Sequence, residues 1–309
     1  MKLLQVAVGV VKNTEGHVLI SLRDDSLHQG GLWEFPGGKI ESKESAEQAL
    51  KRELKEELNI EAITANPLIT IRYQYPDLAV QLHVFLVEHF SGEAEGCESQ
   101  PFKWVNPAEL TNHAFPAANR PIISAAKLPP YYAILDDADE SLLWVNLQKI
   151  VNRGIKLIQL RLKATAPRTI EKFIEQAYPL CQQQGVMLLI NSGVKHAEDF
   201  AVDGLHLTSR HLMSLSKRPE NRLWVAASCH NLQELQHAQS IGVDFVVLAP
   251  VLATKTHPET EPLGWEQFAK LVSHVNLPVY ALGGLSESSL DAARQAGGQG
   301  VAAIRAFLK

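Results

Sequence analysis

A chain of 309 residues, 46% hydrophobic and 20% charged, has the composition of a soluble globular protein and the length for two domains. Its net charge of −5 argues against affinity for a nucleic-acid polymer, which calls for a basic patch, while leaving a free nucleotide as a partner. Cys97, Cys181 and Cys229 are odd in number and lie outside any CxxC spacing, which excludes a disulfide framework, and no apolar run approaches the roughly 20 residues that span a bilayer, so a cytoplasmic protein with no membrane partner is expected.

The chain opens with two strand-like stretches, LLQVAVGVV and HVLISLR, joined by the turn-rich NTEG. After the loop FPGGKIE, a helix is predicted over Ala46–Leu58. Ser45 and Gln48 form a capping box before it, Leu50, Leu54 and Leu58 give it an apolar stripe, and Asn59 suits the left-handed position past its end. On this helix Glu53, Glu56 and Glu57 share one arc. Such concentrated negative charge is costly unless neutralised, and hard divalent cations take oxygen ligands and bridge carboxylates to phosphates. Strands are predicted from Ile69 to Tyr75 and from Leu78 to Glu88, then, after FKWV, a helix from Ala117 to Leu128; Pro129 and Pro130 punctuate the chain and set a first domain of residues 1–128.

From Tyr131 the rhythm changes to short apolar runs alternating with helical patterns: YYAIL, IKLIQLR, VMLLI, GLHLT, LWVAASC, FVVLAPV, VYALGG and GVAAIRAF. Eight such runs predict a compact (β/α)8 barrel over residues 131–309, with little or no room for an eighth outer helix before Lys309.

The segment Gly38–Ile60 fits the Nudix box, in which glycine, five residues, glutamate and seven residues precede Arg-Glu-apolar-x-Glu-Glu-x-Gly-apolar. Eight of the nine specified positions match, the departure being Asn59 for glycine. With LQVAVGVV, GLWEFPGGKIE and FPAANRPII, the first half resembles the MutT-type Nudix hydrolases. The fold this implies is an α/β/α sandwich with a mixed sheet. The resemblance implies that Glu53, Glu56, Glu57 and the Gly37 carbonyl hold magnesium, with manganese as a substitute. It adds Glu98 as a further carboxylate ligand, Glu44 as a supporting carboxylate, Arg52 as the group orienting the glutamates, and Glu53 or Glu98 as general base. The activity it implies is hydrolysis of a nucleoside triphosphate, 8-oxo-dGTP to 8-oxo-dGMP and diphosphate, which sanitises the nucleotide pool. Asn119 would read the oxidised guanine: guanine presents acceptors at O6 and N7, 8-oxoguanine carries a proton on N7, and one amide offers a donor and an acceptor side by side. Arg23, Phe35 and Leu78 would line the base pocket, Leu78 replacing the usual aromatic.

The second half resembles the thiamine phosphate synthase and thiazole tautomerase superfamily through QLRLK at Gln159, Arg161 and Lys163, through Asn191, DGLHL, Ser228 and His230 in SCH, Thr254 and Thr256, and Gly283 and Gly284. This implies a TIM barrel whose mouth takes a phosphorylated thiazole or pyrimidine. The synthase's two metal-binding aspartates are replaced, one by Ser192 and one by His211; His257 stands for a phosphate-binding lysine and Arg305 for a serine. A serine and a histidine bind hard magnesium poorly. Three readings follow for the barrel: residual thiamine-pathway chemistry with the Nudix domain acting on thiamine diphosphates, tautomerisation with His230 as acid/base, or a noncatalytic ligand sensor. The chain is compatible with a homo-oligomer.

Overall fold

The computed structural model describes residues 3–26, 28–97, 100–254 and 259–309. The chain divides into two compact units, Met1–Lys127 and Leu128–Lys309. No helix among the described residues is long and apolar enough to cross a membrane.

In the first unit, β1 (Leu3–Val11), β2 (Val18–Leu22), β3 (Trp33–Glu34) and β4 (Gly37–Lys39) precede α1 (Ala46–Leu58), which is followed by β5 (Glu61–Gln74), β6 (Ala79–Ser91) and β7 (Phe102–Val105). A mixed sheet runs β4-β1-β6-β5, with β1 and β6 parallel and the outer pairs antiparallel, beside an antiparallel sheet β3-β2-β7. Alternation along β1 sends Ala7 and Val11 to the face covered by Leu50, Leu54 and Leu58 of α1, and Val8 and Val10 to the face that packs Ile122, Ala125 and Ala126 of α2 (Arg120–Lys127). These two apolar layers make the α/β/α sandwich.

Two elements differ from expectation. β5 begins eight residues before Ile69 and runs through Pro67. It is an edge strand with irregular register there, and an edge tolerates a missing donor. Instead of one helix from Ala117, a 3-10 turn at Ala117–Asn119 leads into α2. Pro121 has no amide hydrogen and fits only a first helical turn, so the α-helix cannot start much earlier.

The second unit is a closed barrel of β8 (Tyr131–Asp136), β9 (Leu157–Arg161), β10 (Met187–Asn191), β11 (Gly204–Leu207), β12 (Trp224–Cys229), β13 (Phe245–Leu248), β14 (Val279–Leu282) and β15 (Gly300–Ala303), each parallel to the next, with β15 closing on β8. Outside it lie α3 (Glu140–Asn152), α4 (Pro167–Gln183), α5 (Ser209–Ser214), α6 (Leu232–Ile241), α7 (Gly264–Val272) and α8 (Leu290–Gln295). The expected alternation breaks after β10, where a 3-10 turn at Ala197–Asp199 replaces a helix, and β15 is followed by a 3-10 turn at Ala306–Leu308. Tyr132, Leu157, Leu189, Phe245 and Tyr280 fill the barrel, while their strand neighbours pack against the helices.

Candidate functional site

α1 is built as its local sequence demands. Ser45 caps it in a reciprocal capping box with Gln48, and Asn59 ends it at φ 56°. The preceding loop approaches the helix closely: a Cβ on Gly38 would lie 2.2 Å from the Glu53 carboxylate, and one on Gly37, at φ 142°, would lie 2.1 Å from the Ala7 carbonyl oxygen. Glycine at both positions is what lets the loop backbone reach the acidic arc.

Arg52 organises that arc. Its Nη1 donates to Glu53 Oε1 at 2.9 Å and Glu56 Oε2 at 3.0 Å, its Nη2 to Glu44 Oε1 at 2.8 Å and the Lys39 carbonyl at 3.1 Å, and its Nε to Glu44 Oε2 at 3.3 Å. The Gly37 amide donates to Glu57 Oε2 at 3.4 Å. Hydrogen bonds from Arg52 and from the Glu41 amide hold the Glu44 carboxyl below its usual pKa, and the same bond to Glu44 does most to keep Arg52 above its own. Hard carboxylate and carbonyl oxygens on a rigid glycine loop are a donor set suited to magnesium or manganese. As the side chains stand, Glu44, Glu53 and Glu56 are gathered on Arg52, and among the described residues no three acidic, histidine or cysteine groups converge as a metal cluster. Glu98 lies outside the described residues.

Of the residues expected to line the base pocket, Phe35 and Leu78 fall on the other apolar layer. Phe35 is buried and stacks on Phe115 at 5.3 Å between ring centroids, with Leu78, Tyr73 and Tyr75 around them. Asn119 stands at the junction of the 3-10 turn and α2, 8% exposed, and its amide has no protein hydrogen-bond partner among the described residues. The amide atoms are not among the enclosed polar atoms left without a partner, so the group stays open to water or to a ligand. Arg23 does not point free into this pocket: its Nη1 pairs with Glu34 and its Nε donates to the His28 carbonyl at 3.1 Å. Burial raises the Glu34 pKa against the opposing Arg23 charge. Glu34 was not singled out in the sequence, although its place opposite Ser21 on the next strand puts it beside Arg23.

At the barrel mouth a cavity of about 570 Å³ is lined by Arg161, Ser228, His230, Thr254, Gly283, Gly284 and Arg305. Gly283 and Gly284 sit at φ 114° and 67° against Pro250 and Leu252, where a side chain would be both strained and crowded. Arg161 is held by a two-pronged pair with Asp136, Nε–Oδ1 3.0 Å and Nη2–Oδ2 2.6 Å. Burial pushes the Asp136 pKa up, but the Arg161 hydrogen bond and charge bring it net below the usual value. His230 Nδ1 lies 3.0 Å from Glu234 Oε2. Gln159 and Asn191 are buried below the cavity, bonded to each other at 2.7 Å, and Lys163 is exposed beside Gly193. Ser192 Oγ accepts from the Thr208 amide at 2.9 Å, so it serves as a loop tie. Thr256 and His257 lie outside the described residues. Tyr132 and His206, deep in the barrel, were missed; the period-two alternation that places Gln159 and Arg161 inward on β9 also places them inward on β8 and β11.

Comparison with known proteins places both units. A NUDIX domain model matches residues 7–125, and a thiamine monophosphate synthase model matches residues 131–307. Over 127 residues, 41% of this chain, the sequence is 40% identical to an Escherichia coli 8-oxo-dGTP diphosphatase and covers 98% of it; over 125 residues it is 34% identical to the Escherichia coli CTP pyrophosphohydrolase and covers 92% of it. A thiamine-phosphate synthase of Lysinibacillus sphaericus is 32% identical over 170 residues, 53% of this chain and 79% of that protein. The chain thus belongs to the Nudix family through its first unit and to the thiamine monophosphate synthase family through its second.

Proposed function

We propose that the first unit is a divalent-metal-dependent pyrophosphohydrolase that converts 8-oxo-dGTP to 8-oxo-dGMP and diphosphate. The observation that carries the base preference is Asn119, 8% exposed, whose amide makes no hydrogen bond among the described residues and which follows Ala118 of the apolar layer that holds Phe35, Phe115 and Leu78. An amide turned to give its oxygen to the N7 proton of 8-oxoguanine and its NH2 to O6 satisfies both groups, whereas guanine leaves the amide oxygen facing a lone pair. One mismatched buried pair costs about 1 to 3 kcal/mol. The similarity to an 8-oxo-dGTP diphosphatase supports this reading over a pyrimidine nucleotide substrate.

Glu53, Glu56, Glu57 and the Gly37 carbonyl would hold Mg2+, with Glu98 as a further ligand. Bound there, the ion would polarise phosphoryl oxygens and acidify a water. Arg52 and Glu44 keep the carboxylates oriented, and Glu53 or Glu98 takes the proton of the attacking water. In the second unit we infer a binding pocket for a phosphorylated thiazole or pyrimidine. The tie of Ser192 to Thr208 and the mutual bonding of Asn191 and Gln159 support a barrel without the synthase's magnesium chemistry.

A panel of 8-oxo-dGTP, dGTP, CTP, ADP-ribose and thiamine diphosphate, each with Mg2+, tests the first reading through kcat/KM. We expect 8-oxo-dGTP to exceed dGTP by at least about tenfold; equal turnover of the two would remove the proposed specificity. Rescue of a thiamine phosphate synthase auxotroph by the chain would remove the auxiliary reading of the barrel.

A further inference from the structure

The acids assigned to the metal lie where a helix is least able to hold them. Glu56 and Glu57 occupy the last turn of α1, whose final carbonyls have no partner within the helix and whose carboxyl end is the negative pole of its dipole. Lys55 is the basic residue that turn carries. Two carboxylates at a negative pole favour fraying, and a frayed turn lets both of them drift from the geometry a metal needs.

The segment that follows β6 closes this end from outside. Asn59, left-handed, turns the chain away, its amide donating to the Lys55 carbonyl at 3.1 Å and the Ile60 amide to the Leu54 carbonyl at 3.3 Å. The Glu57 and Leu58 carbonyls are taken by main-chain donors far along the sequence: the Cys97 amide reaches Glu57 at 2.9 Å and the Glu95 amide reaches Leu58 at 3.0 Å. The approach is close. Gly92, at φ 91°, passes the Asn59 carbonyl where a Cβ would lie 2.8 Å from its oxygen, and Ala94 packs against the apolar layer that holds Leu58. Glu57 is therefore held through its main chain by Cys97 and through its side chain by the Gly37 amide.

We propose that Cys97 and Glu95 are positioning residues whose main-chain amides form an external cap on α1, so that a metal ion meets Glu56 and Glu57 on a last turn already set in place. This role rests on the reading of the two glutamates as metal ligands, whereas the cap can be measured without any metal.

Cys97→Pro removes one donor and Cys97→Ala keeps it. In the 15N-labelled full chain in EDTA, hydrogen exchange at the Glu57 and Leu58 amides reports the last turn. It should quicken roughly tenfold in Cys97→Pro, the loss of one hydrogen bond, and match wild type in Cys97→Ala. Exchange unchanged by the proline overturns the cap, and quickened exchange in Cys97→Ala overturns it too, because the thiol would then be the acting group. Electron paramagnetic resonance of free Mn2+, titrated against the nucleotide-free chain, reads the site. Cys97→Pro should bind Mn2+ about tenfold more weakly than wild type, and the proline should have the same effect in a Glu98→Gln background, since it acts through α1 rather than through the next residue. An effect that vanishes in that background, or an unchanged Mn2+ affinity, overturns the positioning role and leaves the metal reading standing. A wild-type chain that binds no Mn2+ removes the metal reading and this role with it. If Cys97→Pro does not fold, the wild-type chain decides: its Cys97 and Glu95 amides should be protected from exchange as strongly as that of Leu58, and unprotected amides overturn the cap.

Discussion

Arg52 gives one guanidinium to three carboxylates, Glu44, Glu53 and Glu56, and the consequences can be separated by substitution. Arg52→Gln should lower kcat for nucleoside triphosphate hydrolysis on the order of 100-fold, because carboxylates that drift by an ångström lose their productive geometry. It should also move the Glu44 pKa upward, as read by 13C NMR titration, since the Arg52 hydrogen bond is the largest cause of its depression. The sign follows: a carboxylate depressed in the fold contributes stability above its unfolded pKa of about 4.3, and that contribution is lost as pH falls through the lower folded value. The order of wild type and Arg52→Gln in stability should therefore converge in acid. Asn119 separates binding from chemistry. Asn119→Ala should erase most of the proposed preference for 8-oxo-dGTP over dGTP while leaving dGTP turnover within severalfold, and a preference that survives would detach the residue from base reading.

α1 shows how far local signals reach. Ser45→Ala removes one half of a reciprocal cap and should destabilise the first unit by about 1 kcal/mol in a denaturant titration. Asn59→Gly should be tolerated and Asn59→Val should cost about 1 to 2 kcal/mol, because residue 59 is left-handed and a branched side chain is strained there. Every feature of this helix was legible because cap, stripe and terminator lie within one short segment, and the eight barrel strands were legible for the same reason, each being a continuous apolar run. What stayed hidden depends on residues far apart in sequence. The irregular start of β5 is paired by β6, the Arg23–Glu34 pair needs β2 and β3 side by side, and the Tyr132–His206 bond spans 74 residues. The turn at Ala117–Asn119 was a nearer miss, since Pro121 in the sequence already limits where an α-helix can begin.

Over the whole chain, the barrel closes on Leu128, which the sequence reading gives to the first domain, and on Pro129 and Pro130, which it leaves between the two domains. The Val301 amide donates to the Pro130 carbonyl at 2.9 Å, Gln299 Nε2 to the Leu128 carbonyl at 3.1 Å, and the Tyr280 hydroxyl to the Pro129 carbonyl. A Cβ on Gly300 would lie 1.9 Å from that Pro130 oxygen, so the last strand can pair here only as glycine. The Leu128 side chain, 4% exposed, joins Tyr132 and Tyr280 in the barrel interior. Residues 128–130 therefore act as a plug at the foot of the barrel rather than as a tether. A fragment spanning 128–309 should be more stable than one spanning 131–309 by about 4.5 to 6 kcal/mol, from roughly 1 kcal/mol for each of the three lost hydrogen bonds and about 1.5 to 3 kcal/mol for the lost burial of a leucine. Calorimetry of the two fragments checks this, and equal melting temperatures would show that the three carbonyls and Leu128 contribute nothing to closure. Leu128→Ala in the longer fragment separates the two sources, since it should lose the apolar part while keeping the carbonyl bonds.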